Sequence, residues 1–259
     1  MKSILPPAWT LPQQIRDRLG ETAGRQRAME AEGHLLLVLH QPPTAADPER
    51  VGRLFWRDPT GAWKSNACGA GIQGLKSHID EFANKIDKWE DALQVATSAT
   101  AFYGILRELT PLARTARNLH AALQQGRELC PDDRDLIALR DRAGELERAA
   151  ELAQQDAQAS LDFQVAYHQE LESQRSYEMA VATHRLNLLV ALFFPIATLS
   201  SIFGMNMAHG FESAPSPATF YVVLGAGLIA GLILAIGVGR RPAPIGQQGR
   251  AKPAPPRRT

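Results

Sequence analysis

Two uncharged apolar runs near the carboxyl end, Leu186 to Phe203 and Phe220 to Val238, constrain this chain more than any other feature. Each approaches the roughly 20 residues that an α-helix needs to cross bilayer hydrocarbon. A buried core helix is the ordinary alternative for one such run. Two in tandem, joined by a short polar loop, point instead to a pair of membrane spans. The strongest polar side chain of the first run is Asn187, suited to facing a pore or to an interhelical hydrogen bond. The second run holds Gly225, Gly227 and Gly231, small surfaces of the kind that let membrane helices approach closely. Arg175 and Arg185 precede the first run, and Arg240, Arg241, Arg250, Lys252, Arg257 and Arg258 follow the second. The loop between them has no Lys or Arg. Positive residues stay on the cytoplasmic side, so both termini are expected inside and the loop outside.

The remainder of the 259 residues reads as water-soluble. A net charge of +1 gives no electrostatic case for nucleic acid. Cys68 and Cys130 match no metal-ligand spacing and suit a reducing compartment. The first ten residues are too short in apolar core for a signal peptide. Residues 1–33 begin with a Pro-broken segment, and a helical piece is expected to carry Ile15, Leu19 and Ala23. Gly33 to Gln41 is a short apolar run between Gly33 and Pro42-Pro43, which predicts a strand. Arg50 to Arg57 and Gly61 to Asn66 flank the turn signal Asp58-Pro59-Thr60-Gly61, predicting a hairpin or three-stranded sheet.

From Leu75 the periodicity becomes helical: Leu75, Ile79, Phe82, Ile86, Trp89 and Leu93 share one face. Phe102, Ile105, Leu109, Leu112, Leu119 and Leu123 continue it, with Pro111 as a kink or break and Gly126 as the end. Pro131, followed by Asp132, Asp133 and Asp135, predicts a new helix start. No proline follows until Pro195, and Gly144 is the only glycine, so one helix should run through the first apolar segment, roughly 110 Å in length. Its stripe of Leu136, Leu139, Leu146, Ala150, Ala153, Ala157, Leu161 and Val165 predicts packing between subunits. The acids at its start, with Asp141, read as helix-start charge rather than a sensor. His168 and Glu172, four residues apart, have the spacing of a metal-binding pair or of a plain surface pair. No Ser/His/Asp arrangement, phosphate loop or paired carboxylate is present, so no enzyme and no cofactor are expected.

The expected fold is mainly α. A small N-terminal α/β region covers 1–74, helices follow over 75–130, and a long stalk helix spans 131–185. The first span is 186–206, the external loop 207–218, the second span 219–239, and a disordered cytoplasmic tail 240–259. At the outer end of the first span stands Phe203-Gly204-Met205-Asn206. An aromatic-Gly-Met-Asn there, with Pro195 eleven residues before Asn206, resembles the signature of the CorA-type magnesium and divalent-cation transporter family. That resemblance implies a homopentameric funnel in a bacterial inner membrane, in contact with lipid and passing hydrated Mg2+ down the membrane potential. It implies a selectivity ring from Gly204, Met205 and Asn206, with Gly204 and Asn206 supplying oxygens to the ion. It also implies an apolar constriction at Phe194 and Leu186. The family's Met-Pro-Glu-Leu loop segment is replaced by Gly210-Phe211-Glu212-Ser213, so only Glu212 remains as a cation-attracting acid at the external mouth. His209 has no counterpart in the magnesium pattern. Zn2+, Co2+ or Ni2+ transport is the alternative within the family, and a non-conducting membrane-anchored scaffold is the alternative outside it.

Overall fold

A computed structural model describes residues 4–47, 49–67, 69–204 and 217–239. The chain divides into two compact units at Val165/Ala166. In the first, a four-stranded antiparallel sheet runs in sequence order: β1 (Arg27–Ala31), β2 (His34–His40), β3 (Gly52–Arg57) and β4 (Trp63–Ser65). The β1–β2 connection is Glu32-Gly33, with φ of 51° and 76°. Two successive left-handed residues make the two-residue hairpin whose twist matches the strands, and glycine tolerates that backbone at the second position. The Asp58 turn forms as expected: its Oδ1 accepts from Thr60 N at 3.0 Å and from Ala62 N at 2.9 Å.

Period-two alternation splits the sheet into two apolar faces. Leu35, Leu37, Leu39 and Phe55 face the helices, while Leu36, Val38, Leu54 and Trp56 are covered by Trp9, Leu11 and Ile15. The N-terminal segment therefore acts as a lid over one sheet face. Its helix is a single turn, α1 (Gln13–Arg16), shorter than the helical piece expected through Ala23. Strand β1 is an addition to the expected sheet.

The other face carries α2 (Ile72–Val95) and α3 (Ala99–Leu129). The apolar stripe of α2 is buried at Leu75, Ile79, Phe82 and Ile86. Ser98 caps α3 by accepting from Ala101 N at 3.2 Å. Pro111 sits inside α3 without ending it, and Gly126 does not end it either. A Cβ at Gly126 would lie 3.1 Å from Leu37 Cδ2, so this glycine lets the helix lie close on the sheet.

The long helix α4 runs unbroken from Arg134 to Gly204, 71 residues, including Pro195. Pro131 lies in the turn before it rather than in its first turn. The cap is Asp133, whose Oδ1 accepts from Leu136 N at 3.2 Å, while its Oδ2 accepts from Arg57 Nε at 2.7 Å. A carboxylate at the cap satisfies an orphan N–H, which a proline in the first turn cannot do. The stripe at Leu136, Leu139, Ala143, Ala150, Ala153 and Ala157 is buried within the same chain, in the core shared with α2, α3 and the sheet. That part of the expected intersubunit seam is intramolecular. Beyond Ala157 none of the described residues of α4 is buried.

In the second unit, α4 continues to Gly204 and is followed by α5 (Pro217–Val238). Both helices are long and apolar enough to cross a membrane.

Candidate functional site

The carboxyl part of α4 has two dissimilar faces. Leu192, Ile196 and Leu199, at three- and four-residue spacing, meet α5 where its side chains vanish. A Cβ at Gly227 would lie 3.3 Å from both Ile196 Cγ1 and Leu199 Cδ1, and one at Gly231 would lie 2.5 Å from the Leu192 carbonyl oxygen. The two glycines four residues apart thus allow backbone-to-backbone approach, as small-residue motifs do in membrane helices. Gly225 meets nothing. Thr198 donates its hydroxyl to Phe194 O at 2.8 Å, along the helix rather than across it.

On the face turned away from α5 stand Leu186, Val190 and Phe194, 59 %, 52 % and 63 % exposed. Gly204 lies on the same face, in line with Leu186, and a Cβ there would meet nothing. Leu186, Phe194 and Gly204, expected to act together, therefore share one uncovered helix face. Asn187 flanks that face, is exposed, and makes no hydrogen bond to α5 among the described residues. Met205, Asn206 and Glu212 lie outside the described residues, as do His209 and the 240–259 tail.

The face has the chemistry of a dewetting constriction: bulky apolar side chains that exclude water when crowded together. Its oxygens are the hydroxyl of Ser201, the amide of Asn187 and the backbone at Gly204. No group of three potential metal ligands exists among the described residues. A single chain cannot surround an ion here, although copies around an axis can.

The polar clusters of the first unit are structural. Lys76 Nζ pairs with Asp135 at 3.3 Å and Arg140 with Asp141 at 3.2 Å, so the acids near the start of α4 serve ion pairs alongside the cap. His120 Nδ1 lies 2.6 Å from Glu147 Oε2, and Arg117 pairs with Glu151, tying α3 to α4. His78 is fully buried between Phe55 and Phe82, and its Nδ1 accepts from Arg53 at 3.0 Å. Burial, and then the Arg53 charge, push its pKa down to about 3. Its spacing from Leu75 and Phe82 puts it on the apolar face of α2, but its partner Arg53 comes from β3 and is not signalled by spacing.

Residues 28–240 match the family described as CorA-like Mg2+ transporter protein. No curated protein matches the chain. Among solved structures, that of the full-length CmaX protein superposes with a TM-score of 0.56 at 14% identity, covering 90% of this chain and 83% of that one. The complete structure of the CorA magnesium transporter from Methanocaldococcus jannaschii gives 0.44 at 13% identity, covering 87% and 81%.

Proposed function

Since the chain belongs to the CorA-like Mg2+ transporter family, and is thereby a divalent-cation transporter rather than an enzyme, we propose that copies of it assemble as a homopentamer whose first spans line a pore for hydrated Mg2+. The observation that carries this reading is the uncovered face bearing Leu186, Phe194 and Gly204, on the side of α4 opposite the one packed on α5.

Mg2+ dehydrates reluctantly and favours oxygen ligands. A ring of Asn206 amides and Gly204 carbonyls at the outer mouth, backed by Met205, offers neutral oxygens to an ion that keeps its water. Glu212, one per copy, concentrates cations there. Phe194 and Leu186 form the apolar narrowing that opens by wetting. The Lys/Arg-free loop and the basic flanks put both termini in the cytoplasm of a bacterial inner membrane. Each elementary charge gains about 2.3 kcal/mol per 100 mV, so a divalent ion gains about 4.6 kcal/mol on entry without any other energy source.

The test is ion flux into liposomes containing the purified protein, comparing Mg2+ with Zn2+ and Co2+. Asn206→Ala is expected to lower Mg2+ flux by at least about tenfold, equivalent to ~1.4 kcal/mol. A membrane-tethered scaffold would be indifferent to that change, and unchanged flux would sink the pore.

A further inference from the structure

On a helix of about 3.6 residues per turn, positions eighteen apart lie about five turns along and return to the same line. Gly204, Leu186 and His168 are spaced in this way, as are Val190 and Glu172. The line bearing the signature glycine and the apolar narrowing therefore continues toward the amino end of α4 into His168 and Glu172. These two residues are one turn apart and exposed, and neither has a hydrogen bond or ion pair among the described residues. On the other side of the same helix, Glu170 is occupied, accepting from Gln174 Nε2 at 3.0 Å. Val165 and Met179, in phase with His168 and Glu172, are 45 % and 64 % exposed, which leaves apolar surface for further copies to cover around the same axis.

We propose that His168 and Glu172 form a second ring around the ion path, an imidazole–carboxylate site that takes Zn2+, Co2+ or Ni2+ in preference to Mg2+. The ring rests on the homo-oligomeric pore described above. It lies roughly 27 Å along the axis from Leu186, beyond the apolar span, so the empty carboxylates stay hydrated. One chain supplies two ligands, fewer than a metal needs, and repetition about an axis supplies the rest. Imidazole nitrogen suits the borderline transition ions, whereas Mg2+ holds to oxygen and water. A tight ring here retains transition ions and slows their passage, or selects them, according to how deep the site is. Either way His168 sets the ratio of transition-metal to Mg2+ flux.

The full-length protein, purified as the intact oligomer, is titrated with Co2+ alone and then reconstituted for flux of Co2+, Zn2+ and Mg2+. Wild type is expected to show visible ligand-field bands of nitrogen-coordinated Co2+, displaced by Zn2+ and not by excess Mg2+. His168→Ala should abolish the bands and shift the Zn2+-to-Mg2+ flux ratio about tenfold. Glu172→Gln should weaken Co2+ binding while keeping nitrogen bands. Both positions are exposed on a helix, where Ala and Gln are well tolerated, so folding is preserved. Bands and flux ratio that survive His168→Ala, with Asn206→Ala still abolishing flux, overturn the ring and leave the pore standing. Flux insensitive to Asn206→Ala overturns both.

Discussion

Gly225, Gly227 and Gly231 of α5 make a graded experiment. At Gly231 an added Cβ falls 2.5 Å from the Leu192 carbonyl oxygen and 3.2 Å from Leu192 C and Cα, all of them backbone. Ordinary carbon–oxygen contacts between helices begin near 3.3 Å. Gly231→Ala must therefore push α5 away from α4 by roughly 0.8 Å. A gap of that size forfeits between about a quarter and a half of each dispersion contact it opens. Overpacking of this kind costs about 1–3 kcal/mol. Gly227→Ala meets side-chain atoms at 3.3 Å, which can yield, and should cost less. Gly225→Ala meets nothing and supplies the reference, including the gain of up to ~1 kcal/mol that alanine brings to a helix. Referred to that control, Gly231→Ala should destabilise the helix pair by about 1–3 kcal/mol. Thermal unfolding of the detergent-solubilised protein, followed by loss of its size-exclusion peak, reads the difference. If Gly231→Ala and Gly225→Ala melt together, the close approach does not hold the pair, and the division of α4 into a packed and an uncovered side loses its basis.

Asp133 both caps α4 and pairs with Arg57, so Asp133→Ala should cost about 2–4 kcal/mol in urea unfolding, combining the cap with a largely buried ion pair. Asp133→Asn, which retains a capping oxygen, should cost clearly less, and equal losses would show that the cap does nothing. For His78, held near pKa 3 against about 6.5 when unfolded, the unfolded chain binds more protons between those values. Stability should then be complete above pH 6.5 and fall by about 1.4 kcal/mol per pH unit as pH drops through that window. His40, also lowered chiefly by burial, adds a component of the same sign. His78→Leu should remove one site's share of the slope in urea titrations at successive pH values, and an unchanged slope would refute the assignment.

The spans and the single long helix were legible because charge-free length and the absence of proline are local properties. Strand β2 is legible as a short apolar run between Gly33 and Pro42-Pro43, and β3 and β4 as the segments flanking the turn signal Asp58-Pro59-Thr60-Gly61. β1 did not: Arg27-Ala28-Met29-Glu30-Ala31 is a helix-forming composition. It is extended because it pairs with β2, placing Ala28 on one apolar face and Met29 on the other, a gain that only tertiary contact supplies. The stripe from Leu136 to Ala157 was read correctly as a packing face and assigned to the wrong neighbour, since periodicity reports that a face is covered and not by which element. Pro111 reads as a kink or break and Gly126 as an end, yet α3 continues past both because sheet and helices fix it on either side. At the site, the shared line of Leu186 and Gly204 follows from spacing alone, whereas the glycine contacts that define which face is occupied needed coordinates.

The carboxylate of Asp133 gives the long helix a mechanical property. A helix whose first turn frays absorbs an applied twist by unwinding there. Asp133 seals that turn and clips it to Arg57 of β3, so the rod is clamped at its root. The start of α4 is thus tied to β3 by a side chain as well as by the core that α4 shares with α2, α3 and the sheet as far as Ala157.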